Sequence, residues 1–107
     1  MDYSPNIIPN VAIIVLDRLH DTPHGIEKIK ISTLGIDDLD LLIAQLDILY
    51  RDSCLLLPSD YMNSDVLLIK DQSSFSFKNQ IKNEHSTIQV AIAIKGRNLR
   101  KELHRTK

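Results

Sequence analysis

The chain has 107 residues, of which 43% are apolar and 25% charged, and its formal net charge is −1. That amounts to one small globular domain, without the overall basic excess that marks a nucleic-acid binder. The longest apolar runs, VAIIVL and AIAI, are too short to span a bilayer, no secretory leader opens the sequence, and a single cysteine excludes an internal disulfide. A cytoplasmic protein is expected, with a core of Ile, Leu and Val, since Trp is absent and aromatics make up 5%.

Residues 1–10, with Pro5 and Pro9, predict an irregular lead-in. VAIIVL at 11–16 is β-branched and apolar throughout, which suits a strand covered on both faces, as in a parallel sheet. A polar loop at 17–24 follows, and GIEKIKI at 25–31 predicts a short helix that runs into a weak strand around Ile29–Thr33. After Gly35, Asp37 or Asp38 can cap a helix over 36–50, whose stripe Leu39, Leu42, Ile43, Leu46, Leu49 and Tyr50 has helical spacing. CLLL at 54–57 is either a strand stopped by Pro58 or buried coil. DVLLIKD at 65–71 predicts a strand, 77–85 a short polar helix, TIQVAIAI at 87–94 a strand, and 97–107 a basic helix. Alternation of this kind argues for βαβ units and a parallel sheet.

VLDRLHDTPHGIEKI at 15–29 resembles the first strand, loop and helix of receiver domains in LuxR/FixJ-type response regulators, with Asp17, Gly25 and Ile26 at the matching spacing. DVLLIKD is similar to the third strand of that family, and NQIKNEHSTIQVAIAI to its next helix, turn and fourth strand. The resemblance covers roughly residues 10–94, through short motifs, and is strongest to the degenerate receivers of enteric regulators. It implies a small α/β three-layer sandwich with an incomplete flavodoxin-like parallel sheet, in the order 2-1-3-4. The lead-in would occupy 1–10, the receiver-like domain 11–94 and the basic helix 95–107.

The same resemblance implies a lost phosphorylation site. Active receivers bind Mg²⁺ through two acids after the first strand and an aspartate ending the third, and magnesium needs several oxygen ligands. Here the acid pair is Asp17–Arg18, the phosphoacceptor position falls on Lys70, and Asp71 lies one residue late, which turns its side chain to the other face. Ile94 and Lys95 stand where a small hydroxyl residue is expected, and the fifth strand and helix-turn-helix are absent from these 107 residues, as in a truncated regulator. The expectation is a non-enzymatic, phosphorylation-independent pseudo-receiver, with no catalytic residue, metal or cofactor. It would regulate transcription through protein–protein contacts, as a homodimer or as a heterodimer with a regulator. DNA would be reached only through a missing output domain, or weakly through the basic tail. The alternatives are a stand-alone interaction or antagonist module and nucleic-acid binding through the tail.

Each feature also has a plain structural reading. Asp17, Lys70 and Asp71 suit polar strand ends. His20 and His24, near Asp17 and Asp21, lack a third soft ligand and suit a solvated loop better than a metal site. Cys54 has no partner motif and behaves as a small hydrophobe. Residues 95–107 hold six Lys or Arg and one Glu, a net of +5 that leaves −6 for residues 1–94. Lys95, Arg97, Arg100, Lys101 and Arg105 are therefore candidate nucleic-acid contacts, against a solvated helix face as the plainer alternative. The leucine stripe at 39–49 suits either a partner groove or packing on the sheet. A receiver cut before its fifth strand would also expose the flank of its fourth, inviting another chain to pair there.

Overall fold

The computed structural model describes residues 5–21, 26–58, 60 and 75–105. The apolar run at 11–16 lies inside a helix, α1 (Pro9–His20), not a strand. Pro9 occupies the first turn, where its missing N–H has no helical partner to lose. Ala12, Val15, Leu16 and Leu19 are fully buried while Ile14 is 38% exposed, so the true period is helical and extends past the run to Leu19. Gln45 secures the helix entrance: its Oε1 accepts from the Ile8 N–H at 2.8 Å and its Nε2 donates to the Asn6 carbonyl at 3.2 Å.

The helix expected at 25–31 is instead a strand, β1 (Ile26–Lys30). Ile26 and Ile29 are spaced for a helix, but Ile29 and Ile31 are buried with Lys30 exposed between them, an alternation that suits a half-buried strand. A 3₁₀ turn, Ile31–Leu34, follows and ends at Gly35, whose φ of 70° is left-handed. Helix α2 (Leu39–Arg51) starts as expected, with Asp38 Oδ1 accepting from the Leu41 N–H at 3.0 Å. Leu42, Leu46, Leu49 and Tyr50 are fully buried, and Leu39 and Ile43 pack against the same core, so the leucine stripe faces inward.

At the end of α2 the Cys54 N–H donates to the Leu49 carbonyl and the Ser53 N–H to the Tyr50 carbonyl, the paired bonds of a Schellman motif. Ser53 holds the left-handed position at φ 63°, where glycine is usual. The chain turns directly into β2 (Leu55–Leu56), which settles CLLL as a short strand.

Strand β3 (Thr87–Ile92) pairs antiparallel with both β1 and β2, giving the order β1-β3-β2. β1 and β2 therefore run in the same direction on either side of β3. This mixed α/β arrangement corrects the parallel flavodoxin-like sheet of order 2-1-3-4. The expected first strand is α1, and the expected fourth is the central strand, with both flanks paired rather than one open. DVLLIKD lies outside the described residues. Ile88, Val90 and Ile92 point into the core while Thr87 and Gln89 are exposed, so the main core lies on one face of the sheet.

In place of the polar helix expected at 77–85 there is one 3₁₀ turn, Phe77–Asn79. The next residues are held by side chains: Ser86 Oγ accepts from the Lys82 and Asn83 N–H groups, and Asn83 Oδ1 from the His85 N–H, which diverts the backbone from helical bonding. Buried Asp47 anchors this region to α2, accepting from the Phe77 N–H at 2.7 Å and the Ser76 hydroxyl at 2.9 Å. The rings of Tyr50, Phe75 and Phe77 pack with centroids 4.7–6.0 Å apart.

The C-terminal helix, α3 (Ile94–Arg105), leaves β3 across the end of β2. The Ala93 N–H donates to the Cys54 carbonyl at 2.9 Å, and a Cβ at Gly96 would collide with that same carbonyl oxygen. Two substitutions test these backbone constraints. Gly96→Ala should lower stability by about 1–3 kcal/mol, because the obstacle is backbone and cannot swing aside. Ser53→Gly should raise it by about 0.5–1 kcal/mol by relieving the left-handed serine. Urea midpoints measured at constant m-value check both.

Candidate functional site

Asp17 lies in the penultimate turn of α1 rather than in a loop after a strand. Its Oδ1 accepts from Arg100 Nε at 2.6 Å and from His104 Nε2 at 2.7 Å, both on α3. Arg100 and His104 are four residues apart and share one side of α3, so a single carboxylate oxygen joins two helices that the sequence separates by more than 80 residues. Burial alone would raise the Asp17 carboxyl, but the hydrogen bonds from His104 and Arg100, with their charges, outweigh it and hold the group below the usual carboxylate range.

The outward side of α3 is different in character. At about 100° per residue, Ile94, Arg97, Asn98, Lys101 and Arg105 fall on one arc, opposite Gly96, Leu99 and Leu103. Ile94 is 80% exposed, which is unusual for so large an apolar side chain. Lys101 and Arg105 are exposed and Arg97 is partly so. The one acid of α3, Glu102, has its Oε2 turned out of solvent, so cations alone supply the charge of the outward arc. Of the five basic residues picked from sequence, the fold thus presents Arg97, Lys101 and Arg105 together. It diverts Arg100, whose side chain is only 23% exposed, to Asp17, and Lys95 also makes an interaction within the molecule.

No family model, curated protein or solved structure matches the chain.

Lys70 and Asp71 lie outside the described residues. His20 is at the exposed end of α1 beside Asp21, and His24 lies outside the described residues. Among the described residues no group of three or more His, Cys, Asp or Glu side chains is placed to hold a metal. Cys54 is buried, and burial pushes its thiol up to about 12, so it is a packed side chain rather than a nucleophile. No helix among the described residues is long and apolar enough to cross a membrane.

Sequence reasoning missed the Asp17–Arg100–His104 cluster and the exposure of Ile94. A helical assignment for 9–20 would have placed Asp17 beside the apolar face of α1, but no local signal names its partners. The cluster makes a definite pH prediction. Because the Asp17 carboxyl is depressed in the folded state, its stabilisation is complete above the unfolded value of 3.8 and disappears as pH falls through the lower folded value. Asp17→Asn should lower stability at pH 7 by about 1 kcal/mol, and the gap from the parent should close as acid protonates Asp17. Thermal melts of both proteins from pH 7 to pH 2 provide the measurement.

Proposed function

We propose that the chain is a non-enzymatic, phosphorylation-independent regulatory module that works by binding another protein through the outward face of α3. The observation that carries this reading is the 80% exposure of Ile94 in line with Lys101 and Arg105. A lone aliphatic side chain held on a rigid helix and flanked by cations has the makings of an interface anchor with a charged rim. The partner surface it suits is acidic with an apolar recess. Control of transcription is the setting suggested by the sequence motifs at 15–29 and 79–94.

Nucleic-acid binding is the second reading, favoured by the alignment of Arg97, Lys101 and Arg105 four residues apart. It leaves exposed Ile94 without a role, and it loses Arg100 to Asp17. Fluorescence anisotropy separates the two readings, using an Asp/Glu-rich peptide containing leucine and a short DNA duplex. Protein recognition predicts that the peptide binds, and that Ile94→Ser weakens it about tenfold, the loss of about 1.4 kcal/mol. Duplex binding untouched by Ile94→Ser, with a log–log salt slope of roughly −2.7 for three phosphate contacts, would instead establish the nucleic-acid reading.

A further inference from the structure

The molecule carries a surface complementary to the outward face of α3. Between the 3₁₀ turn and the start of α2 lies an open hollow of about 130 Å³, lined by Ile31, Ser32, Gly35, Ile36, Asp37, Leu39 and Glu84. Ile36 and Leu39, partly buried against the main core, supply the apolar surface, while Ile31 is almost wholly buried. Asp37 and Glu84 supply carboxylates, and Asp38 and Asp40 are exposed close by in the chain. A hollow of mixed polar and apolar lining with acids around it is complementary to Ile94 flanked by Arg97, Lys101 and Arg105.

We propose that the chain self-associates, with the outward face of α3 of one copy seated in the acidic hollow of a second copy. This rests on the reading of α3 as a protein-binding face and names its partner. Ile94 would enter the hollow against Ile36 and Leu39, while Lys101 and Arg97 meet Asp37 and Glu84. The two patches are distinct surfaces of one molecule, so the contact is heterologous: each copy offers a donor and an acceptor, and association closes only if the rotation between copies permits it. Opposite charges on exposed surfaces attract weakly at physiological salt and more strongly when screening is reduced, so the assembly is salt-sensitive. Exposed Lys30 on β1 disfavours edge-to-edge strand pairing as a rival mode.

Light scattering coupled to size-exclusion chromatography tests this with the full chain. At about 20 mM salt the average mass should reach at least about 1.5 times the 12.2 kDa protomer, and it should return to one protomer at about 500 mM. The variants R97E/K101E and D37K/E84K should each be monomeric at low salt, with circular dichroism like that of the parent. Mixing the two variants should restore association, because the reversed α3 face of one then meets the reversed hollow of the other, and the intact α3 face meets the intact hollow. A parent protein that is monomeric at low salt would overturn the proposal, as would association that survives high salt. Loss of association in R97E/K101E but not in D37K/E84K would overturn the hollow as the seat. Loss in both without rescue on mixing would overturn the pairing of these two surfaces. The peptide titration reads the α3 face independently, so binding there without self-association would leave the protein-binding reading intact and remove this one.

Discussion

The absence of a side chain at residue 96 sets the position of the last helix, and much else depends on that position. The Ala93 N–H is bonded to the Cys54 carbonyl, and α3 crosses so close to the same carbonyl that any Cβ at 96 would strike it. This contact fixes the rotation of α3 about its axis. Leu99 is then buried and Leu103 packs against the core, Arg100 and His104 reach Asp17, and Ile94, Lys101 and Arg105 are left outside. A helix rotated by a third of a turn would lose the Asp17 bonds and bury charge. The exposed apolar side chain at position 94 is thus a consequence of geometry set two residues later.

Where the sequence was informative, the structural signal was local. Asp38 caps α2 because a short acid precedes a periodic apolar stripe, and β3 is a strand because β-branched residues fill 87–92. Both can be read without knowing what lies elsewhere. The errors at 9–20 and 25–31 share a different cause. A run of six apolar residues is compatible with either period, and its helical character appears only when Pro9 and Leu19 are included. Ile26 and Ile29 fit a helix until β3 offers a ladder, and that partner lies about 60 residues away. A strand followed by a helix implies a parallel sheet, whereas the helix followed by a strand found at 9–30 leads into an antiparallel one.

The candidate site was legible in its residue types but not in its grouping. Asp17 and the basic residues of the tail stood out separately, as a strand-end acid and a charged run. Folding joins part of each set: Asp17 takes Arg100, Lys95 interacts within the molecule, and three of the five cations remain on a common arc. A sequence count of charge treats all five basic residues alike, whereas the fold divides them into those spent inside the molecule and those offered to a partner. Only the arrangement across helices supplies that division.

Helix α2 has a role beyond packing on the sheet. Tyr50 donates to buried Asp60, which also accepts from the Leu57 N–H, and Arg51 and Asp47 hold the backbone of Phe75 and Phe77. Two stretches of chain well separated in sequence are therefore fastened to the last turns of one helix. Their separation is set by α2 and not by the number of residues strung between them. In mechanical terms, α2 acts as a mounting rail: Tyr50, Arg51 and Asp47 hold Asp60, Phe75 and Phe77 at a spacing set by one helix, so a change that unwinds its last turns would release both stretches together.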